Sequence, residues 1–488
     1  MSKIILGNTL CTIEDEEDIN FLRSLDVELS FKVQGAEHTR AYKLHQWDGV
    51  RRIMARDLTF PYGLLERVQK FYQKYNKSVD IENRRPIKSI AQPISIYDRL
   101  VEMGLTPRQY QLDIANVAKQ KDCGIIRAAT GAGKTAVAAI ITAQFNKSTI
   151  IYVIGKDLLH QMHKFLANVF QTEIGIVGDG LCEIRDINVV SVWTVGQALG
   201  LKKSEIIMDG SDDEKALDVS KYVHILNMMK SVKLHIFDEC HLAACDTIQA
   251  ISKNINPEYL YGMSASPWRD DNADLLIESI FGSKIVDISA SYLIENNYLV
   301  KPMIKFIKPS KKRYPKEATY QTVYKDYIIY NQERNDYITN GCKKLVEQGY
   351  PTLVLYSRLS HGKYLYDTIS KSLPCHLLSG QDSSKVREDT KTKLENGDIK
   401  CIVASTIFDI GVDLPSLSGL IIAGAGKSSV RALQRIGRVI RPHDYGEYKK
   451  TRAAVIEFYD QAKFLKAHAE ARYAIYSSES GFSVNWPK

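Results

Sequence analysis

The stretch Ala129-Thr130-Gly131-Ala132-Gly133-Lys134-Thr135 decides the fold. It follows the apolar run GIIRA and precedes the helical stretch AVAAIITAQF, which predicts a buried strand, a glycine-rich turn and a helix in that order. Glycines in such a turn let backbone N–H groups point at phosphate oxygens, and the N-terminus of the helix adds positive potential. We expect Lys134 to pair with the β- and γ-phosphates of a nucleoside triphosphate and the Thr135 hydroxyl to ligate Mg²⁺.

The assignment of this turn has one departure from the usual pattern and one competing stretch elsewhere in the sequence. The pattern departs from G-x-x-x-x-G-K-[ST] at its first position, which is Ala128, so a glycine-rich turn formed by chance is the alternative. A similar stretch, Gly424-Ala425-Gly426-Lys427-Ser428, follows the apolar run LIIAG, but its first position is Ile421. We interpret this second stretch as a loop capped by Ser428 or Ser429 before a helix, not as a second nucleotide site.

Residues 96–292 form a block in which short apolar runs alternate with helical stretches. The runs are GIIRAA, TIIYVI, INVVSV and LHIFD. Continuous apolar strands separated by helices indicate a parallel sheet that is covered on both faces. Residues 200–231 interrupt the rhythm, because DGSDDEK is polar and predicts a loop before a helix around KYVHILNMMK. This insertion is either a DNA-facing segment or a tolerated loop.

Residues 293–488 repeat the rhythm with the runs TLVLYS, CHLLSG, KCIVAS, LSGLIIAG and AAVIEF. They predict a second α/β domain, and two such domains in one chain form a cleft where a ligand can couple their motion. Residues 1–95 differ, with the apolar strands IILGNTLCTI and VELSFKV before the helical stretch GLLERVQKFYQKY. The apolar residues of that stretch recur at helical spacing: Leu64, Leu65, Val68, Phe71 and Tyr72. The predicted fold class is therefore α/β, with two parallel-sheet domains in tandem behind a small N-terminal α+β domain.

The apolar strand LHIF ends in Asp238-Glu239-Cys240-His241. An acidic residue at a strand end can hold Mg²⁺ opposite a phosphate-binding turn, and a neighbouring carboxylate can orient and deprotonate an attacking water. We therefore expect Asp238 to bind the metal and Glu239 to act as the general base. The alternative is an acidic helix cap that follows a strand. Cys240, His241 and Cys245 are close in sequence, but on this scaffold we interpret them as structural or coupling residues, not as zinc ligands.

The stretch Gln434-Arg435-Ile436-Gly437-Arg438-Val439-Ile440-Arg441 is predicted to lie on a helix of the third block. Arg438 and Arg441 are three residues apart, so we expect them on one helix face. A γ-phosphate in transfer spreads negative charge over its oxygens, and the planar, permanently charged guanidinium of arginine stabilises that charge. Such arginines, supplied across a cleft, would make hydrolysis depend on closure. The alternative is a basic surface helix.

Composition narrows the class of protein. The 488 residues allow roughly three domains, and the net charge of +8 fits a polyanionic partner. Between Lys43 and Lys88 eleven Lys/Arg stand against five Asp/Glu, which indicates either a solvated basic face or a nucleic-acid contact surface. No two of the eight cysteines form a C-x-x-C pair, which favours a reducing cytosol over a zinc ribbon or disulfide framework. No signal peptide or membrane span is expected, so the predicted location is cytoplasmic.

Taken in order, the motifs resemble those of the superfamily 2 helicases over about residues 105–445. The resemblance is specific, because the spacing and the strand or helix context of each motif agree independently. The third motif departs slightly from the commoner S-A-T but keeps a hydroxyl at its last position, and Trp268-Arg269-Asp270-Asp271 after it resembles an extension of DNA-repair translocases. The motifs are, in chain order: Tyr110-Gln111, ATGAGKT, DECH, Ser264-Ala265-Ser266, Ser405-Thr406 through Gly411-Val412-Asp413, and QRIGRVIR.

The resemblance implies two RecA-like domains, with ATP and Mg²⁺ as cofactors. It implies that Gln111 contacts the adenine edge, and that Gly411 and Asp413 lie where such proteins contact nucleotide and strand. The remaining implied roles fall on matching positions of this sequence: nucleotide binding on Thr130, Gly131, Ala132, Gly133, Lys134 and Thr135; metal binding on Thr135 and Asp238; catalysis on Lys134, Asp238, Glu239, Arg438 and Arg441; coupling on Ser264, Ser266 and Gln434; DNA contact on Ser405 and Thr406.

The first block resembles the N-terminal domain of phage UvsW-type helicases, on a shorter match. The matching stretches are Trp47-Asp48-Gly49, Arg51-Arg52 and Phe60-Pro61-Tyr62-Gly63-Leu64. The match implies DNA contacts by Trp47, Arg51 and Arg52, and duplex or branched DNA as substrate: Holliday junctions, forks, D-loops and R-loops. It also implies a bacterial host cytoplasm and recombination or replication proteins as partners. The sequence does not give the oligomeric state, and it is compatible with a monomer. Core packing is the alternative reading of Trp47 and Phe60.

Two other functions also fit the sequence. DECH and SAS fit an RNA helicase equally well, although no RNA-binding module is visible. A nucleotide-switched clamp that anneals DNA without translocating is the other candidate. Glu239, together with the arginines Arg438 and Arg441, argues for turnover and against the clamp.

Overall fold

Two units make up the chain in the computed structural model. One contains Met1–Ala128 and Gly133–Asp287, and the other contains Ala129–Ala132 and Ile288–Lys488. The first unit holds the N-terminal block of residues 1–95 and one large sheet, and the second unit holds another large sheet. The described residues are 2–88, 91–201, 217–266, 273–310, 317–380, 382–405, 414–424, 426, 429–445 and 448–487.

The N-terminal block is a small α+β fold. Its strands are β1 (Lys3–Leu6), β2 (Leu10–Glu14), β3 (Ser30–Lys32), β4 (Val50–Arg52), β5 (Thr59–Pro61) and β6 (Asp80–Asn83), and its helices are α1 (Ile19–Glu28), α2 (Arg40–Lys43) and α3 (Leu65–Lys74). One sheet has the order β5-β2-β1-β6, and β3 pairs with β4 separately. The apolar face predicted for α3 is confirmed, because Val68, Phe71 and Tyr72 share a core with Phe21 and Phe60.

The predicted strand VELSFKV is wrong in its first half. Val27 and Glu28 end helix α1, and the extended segment is Ser30–Lys32. The helix begins where the Asp18 carboxylate accepts hydrogen bonds from two backbone N–H groups of the first turn. Phe21 and Leu25, four residues apart, point its apolar face at the core. The capping aspartate and this spacing are the sequence signals of the helix.

The large sheet of the first unit has the strand order β10-β9-β11-β8-β12-β13-β7-β14. Among the strand pairs whose register is described, β9 and β10 are antiparallel and the others are parallel, as expected for strands joined by helices. The predicted apolar strands in this block are confirmed as β7, β8, β11 and β12. The strands are β7 (Cys123–Ala128), β8 (Thr149–Val153), β9 (Gly175–Gly178), β10 (Leu181–Glu183), β11 (Ile187–Ser191), β12 (Leu234–Asp238), β13 (Tyr259–Ser264) and β14 (Lys284–Ile288).

Helices accompany this sheet in the alternating order that the sequence predicts. The helix predicted at KYVHILNMMK is confirmed as α9, whereas DGSDDEK lies outside the described residues. The helices are α4 (Tyr97–Glu102), α5 (Gln109–Lys119), α6 (Lys134–Phe145), α7 (Lys156–Phe170), α8 (Val192–Ala198), α9 (Tyr222–Ser231), α10 (Asp246–Lys253) and α11 (Asp274–Phe281). Because β8 and β12 are buried along their whole length, the carboxyl ends of the strands are where polar side chains can gather.

The second unit repeats the design with the strand order β17-β18-β16-β19-β22-β15-β23. Its neighbouring strands are parallel, and the five predicted apolar runs are confirmed as β16 to β19 and β22. The strands are β15 (Lys301–Ile307), β16 (Thr352–Tyr356), β17 (Cys375–Leu378), β18 (Cys401–Ser405), β19 (Gly419–Ile422), β20 (Asp444–Tyr445), β21 (Tyr448–Lys449), β22 (Arg452–Phe458) and β23 (Ser483–Asn485). A two-residue pair, β20 with β21, lies outside this sheet.

The helices of the second unit bring one correction. Helix α17 ends at Val439, so Arg441 lies beyond it and not on the same helix as Arg438. Pro442 follows, and a residue before proline is disfavoured in the α conformation. Of the described helices none is long and apolar enough to cross a membrane. The helices are α12 (Ala290–Glu295), α13 (Tyr320–Tyr324), α14 (Gln332–Glu347), α15 (Leu359–Ile369), α16 (Ser384–Glu395), α17 (Ser429–Val439) and α18 (Leu465–Ser477).

Candidate nucleotide-hydrolysis site and nucleic-acid interface

The glycine-rich turn joins β7 to α6, as the sequence predicts. Strand β7 ends at Ala128 and α6 begins at Lys134. Gly131 and Gly133 have φ of +90° and +75°, a region that side chains rarely adopt, so these positions favour glycine. Helix α6 has 12 residues, and its first N–H groups lack partners within the helix. The turn therefore has the backbone conformation and the helix N-terminus that phosphate binding requires.

Gln111 lies beside this turn. The residue is in the first turn of α5 and is buried. Its side-chain carbonyl accepts a hydrogen bond from the Arg108 backbone N–H at 2.9 Å, which fixes the orientation of the amide. A Cβ added to Gly133 would come within 2.6 Å of the Gln111 Nε2 atom. Glycine at this position thus also makes room for the glutamine, so Gln111 lies directly beside the phosphate-binding turn that the sequence predicts.

The acidic pair stands at the end of β12 and reaches the lysine of the turn. Glu239 has φ of +53°, a conformation uncommon for a residue other than glycine, and its backbone N–H donates to the Asp238 carboxylate at 3.0 Å. In this conformation the Glu239 Oε1 atom lies 3.4 Å from Lys134 Nζ. Strained non-glycine residues are frequent at functional sites. The contact joins two predicted site residues that are 105 positions apart in the chain.

The pKa values of the two neighbouring carboxyl groups, Asp238 and Glu239, are shifted in opposite directions. Burial, together with the neighbouring Glu239 charge, raises the pKa of Asp238 to about 6. Burial also opposes ionisation of Glu239, but the Lys134 and His241 charges outweigh it and lower the pKa of that carboxyl. Burial disfavours the Lys134 ammonium, yet the Glu239 and Asp238 charges raise its pKa. Groups whose pKa values are shifted by burial and by a specific charged neighbour are frequent at functional sites.

His241 connects the acidic pair to the next strand. Its Nδ1 atom lies 3.1 Å from the Ser264 hydroxyl oxygen and 3.3 Å from a Glu239 carboxylate oxygen. The Ser266 backbone N–H donates to the same Ser264 oxygen at 3.2 Å. Ser264 is the last residue of β13, and through His241 this third motif is in direct contact with the DECH motif. Among the described residues no cluster of His, Cys, Asp and Glu side chains has the arrangement of a metal site.

The predicted site residues of the second unit are described in part. Gln434 and Arg438 lie on α17, and Arg441 follows its end. Ser405 ends β18. Thr406, Gly411, Asp413 and Ser428 lie outside the described residues, as do the Ser429 side chain and the stretch Trp268-Arg269-Asp270-Asp271 of the first unit.

Two buried arginines that the sequence analysis did not single out hold the segment before α17. Arg334 of α14 pairs with Asp460 at 3.0 Å and donates to the Ala423 carbonyl at 2.7 Å. Arg472 of α18 pairs with Glu457 at 3.0 Å and donates to the Gly426 carbonyl at 2.8 Å. The sequence of this segment predicts a loop before a helix and not a second nucleotide site, and the Ala423 and Gly426 carbonyls within it accept hydrogen bonds from the two arginines. No local pattern reveals partners 46 and 89 residues away.

The predicted DNA residues of the N-terminal block differ in their surroundings. Trp47 is half-buried, and its indole N–H donates to the Val50 carbonyl at 2.9 Å. Arg52 pairs with Asp48 at 2.6 Å, so a phosphate would have to compete with a carboxylate for its guanidinium. Arg51 lines a cavity of about 340 Å³ between the N-terminal block and the large sheet of the first unit. Phe60 is fully buried in the core, which confirms the packing alternative for that residue.

Family models match three parts of the chain. A model described as the res subunit of type III restriction enzymes matches residues 102–269. The helicase conserved C-terminal domain matches residues 333–443. The N-terminal model of the DNA helicase UvsW matches residues 8–82. The three matches fall on the first large sheet, the second large sheet and the N-terminal block.

Known proteins agree with these matches. The ATP-dependent DNA helicase uvsW of Enterobacteria phage T4 is 24% identical over 470 residues, 91% of this chain and 88% of that protein. The DNA 3'-5' translocase XPB2 of Sulfurisphaera tokodaii is 24% identical over 418 residues, 77% of this chain and 86% of that protein. The structure of S. cerevisiae Dbp5 bound to RNA and ADP BeF3 shares the fold, with a TM-score of 0.55 at 13% identity over 80% of this chain and 94% of that one. The chain has two RecA-like domains behind a UvsW-type N-terminal domain, and it belongs to the superfamily 2 helicases.

Proposed function

We propose that this protein is an ATP-driven DNA translocase that remodels branched DNA. The observation that carries the proposal is the chain of contacts from Lys134 through Glu239 and His241 to Ser264. It links the group that would hold the triphosphate to a motif on a neighbouring strand. A protein that only bound nucleotide would not need a carboxylate at that position, whereas hydrolysis does.

At the ATP site the side chains of the first unit divide the work. Lys134 holds the β- and γ-phosphates, and Gln111 contacts the adenine. Glu239, whose pKa is lowered, is ionised and accepts a proton from the attacking water. Asp238 and Thr135 offer oxygen ligands, the chemistry that Mg²⁺ prefers, and the bound ion would neutralise phosphate charge.

The second unit contributes the arginines. We assign residues 1–95 to a DNA-binding domain, 96–292 to the ATP-binding RecA-like domain and 293–488 to the RecA-like domain with the arginines. Arg438 and Arg441 stabilise charge on the γ-phosphate when the two RecA-like domains close on ATP. Hydrolysis removes the group that holds them closed, so each cycle changes the grip on one DNA strand.

The DNA contacts are to the backbone, so stepping tolerates any sequence. Ser405 and Thr406 contact the strand in the second RecA-like domain, while Ser264, Ser266 and Gln434 couple that contact to hydrolysis. Trp47, Arg51 and Arg52 engage the duplex or the branch point. Because phosphate contacts release counterions, affinity for DNA should fall steeply with salt.

The test is the rate of ATP hydrolysis on linear duplex, forked, four-way and RNA–DNA hybrid substrates. We expect the largest stimulation on forked or four-way DNA, and a Lys134→Ala protein as control should show none. Stimulation only by single-stranded RNA would replace the proposal with an RNA helicase. A protein that hydrolyses ATP but never displaces the third strand of a triplex would be a clamp, not a translocase.

A further inference from the structure

The N-terminal block and the large sheet of the first unit share a core. Leu275 of α11 is buried in the apolar cluster of the N-terminal block, beside residues such as Phe60 and Val68. Close by, a Cβ on Gly63 would lie 2.3 Å from the Glu278 carbonyl oxygen and 2.6 Å from that of Ser279. Backbone atoms cannot move aside as a flexible side chain can, so the block abuts α11 without a gap. We call this boundary the seam.

A bidentate ion pair fixes one side of the seam. Two guanidinium nitrogens of Arg67, on α3, reach the two oxygens of Glu278, on α11, at 2.7 and 3.3 Å. The third nitrogen donates to Glu28, the last residue of α1, at 2.8 Å. The planar geometry of such pairs specifies orientation as well as distance. One side chain therefore locks two helices of the N-terminal block to one helix of the RecA-like domain.

A second cluster fixes the other side, around Asp122. Its carboxylate accepts from Arg85 Nη1 at 2.5 Å and from the Tyr62 hydroxyl at 3.3 Å, and it also pairs with Lys88. The Arg85 guanidinium lies over the Tyr62 ring at 4.9 Å from its centre. Asp122 immediately precedes β7, the strand that leads into the phosphate-binding turn. Residues of the N-terminal block are thus tied directly to the base of that strand.

Because two separate polar clusters and a shared apolar core join them, the N-terminal block cannot pivot on the RecA-like domain about a single contact. A DNA-binding domain on a flexible tether would have a small, polar and wet boundary instead. The seam borders the cavity that Arg51 lines, so a predicted DNA-contact residue sits on the locked body.

We infer that the N-terminal block and the first RecA-like domain move as one rigid lever, with Arg67, Glu278 and Asp122 as the residues that position it. The inference rests on the proposed function. DNA held by the N-terminal block would then be displaced by the full motion of the RecA-like domain in every ATP cycle. Movement at the seam would reduce the DNA displacement obtained from each ATP.

Breaking the ties tests the lever. We would measure four-way-junction migration per ATP hydrolysed, and ATP hydrolysis on linear duplex, for Arg67→Met combined with Asp122→Asn. Migration per ATP should fall about two- to thirtyfold, the usual range for mutations that alter coupling, while hydrolysis on linear DNA stays near the wild-type rate. Arg185→Met, which removes a surface pair with Glu173 far from these ties, is the matched control. The inference is overturned if migration per ATP hydrolysed is unchanged, or if junction migration and ATP hydrolysis on linear duplex fall by the same factor.

Locking the seam is the opposite test and does not depend on a destabilised variant. Asn8 and Asn256 face each other across the seam, joined by a hydrogen bond of 2.8 Å between exposed side chains. Asn8→Cys with Asn256→Cys, joined by a short bis-maleimide, should migrate junctions as fast as the two treated single variants Asn8→Cys and Asn256→Cys, which carry the same eight native cysteines and so control for their modification. A cross-linked protein that hydrolyses ATP but no longer migrates junctions shows that the seam must open, and the lever is wrong. If wild-type protein shows no DNA-stimulated hydrolysis, the proposed function itself fails.

Discussion

The two large sheets use buried charge in different ways. In the first unit the Lys134 and Glu239 side chains remain 15% and 26% exposed and stand 3.4 Å apart. In the second unit Arg334 with Asp460, and Arg472 with Glu457, are at most 3% exposed and bonded at 3.0 Å. Both arginines also donate to backbone carbonyls. The Lys134 and Glu239 charges are accessible to solvent, whereas the two arginine pairs of the second unit are almost completely buried.

The comparison assigns different tasks to similar folds. We propose that phosphate replaces Glu239 as the partner of the partly exposed Lys134. A buried pair cannot exchange partners, because an unpaired charge in the interior is strongly destabilising. We therefore expect the second unit to take part in hydrolysis through Arg438 and Arg441 and not through its buried pairs.

Replacing Arg441 tests most directly whether the second unit contributes to hydrolysis through this arginine. Arg441→Ala should lower ATP hydrolysis by about 10³-fold, the smaller end of the range for an arginine that stabilises a transferring phosphate. ATP affinity should change little, because the arginine acts on the transition state. Steady-state hydrolysis and equilibrium binding of a fluorescent ATP analogue measure the two quantities. Arg452→Ala, at an exposed position that begins β22, is the control. Equal losses in binding and hydrolysis would count against the role.

Replacing Arg472 tests the scaffold side of the comparison. Arg472→Met should lower the free energy of unfolding by about 3–5 kcal/mol, because the buried Glu457 carboxylate loses its cationic partner and keeps only neutral donors among the described residues, the Tyr476 hydroxyl and the Phe458 backbone N–H. Urea unfolding followed by circular dichroism measures it. Adding Glu457→Gln should recover part of the loss, since the uncompensated charge is then gone. The surface variant Arg185→Met should lose no more than about 1 kcal/mol. A similar small loss for Arg472→Met would contradict the scaffold role.

Replacing Glu239 tests the reactive side. Glu239→Gln keeps the size of the side chain but cannot accept a proton, so turnover should fall by at least about 10²-fold while ATP binding is kept. Rapid-quench hydrolysis in a single turnover separates the chemical step from binding. Glu173→Gln, an 81% exposed glutamate of the same unit, should behave as wild type. Unchanged turnover in Glu239→Gln would rule out the general base.

The sequence predicts the sheets better than it predicts the contacts between their parts. Runs such as TIIYVI and TLVLYS contain four or five consecutive apolar residues, the pattern typical of a strand that is buried on both faces. Helix α1 was missed because its two core residues, Phe21 and Leu25, sit among acidic and polar neighbours. The end of α17 was missed because the charge pattern continues through Arg441, although Pro442 was the visible signal.

For the site, local motifs identify the reactive residues but not their supports. The turn, the DECH stretch and SAS each occupy a few consecutive residues, and phosphate chemistry dictates their types. Glu278 is 211 residues from Arg67, and Arg85 is 37 residues from Asp122. In the sequence alone these residues look like any surface arginine or acidic residue. Only folding brings such pairs together, so seams and scaffolds need a structure.

His241 tests whether the reactive contacts of the first unit also carry information to the DNA. It touches both Glu239 and Ser264, so His241→Ala should leave basal hydrolysis nearly intact but reduce DNA stimulation by about two- to thirtyfold. The ratio of hydrolysis rates with and without forked DNA is the readout. His160→Ala, an exposed histidine of α7 that pairs with Asp179, is the matched control. Combining His241→Ala with Ser264→Ala should add little, because residues in one chain of contacts are not additive. If basal and stimulated rates fall together, the histidine only supports Glu239, and the link to DNA runs elsewhere.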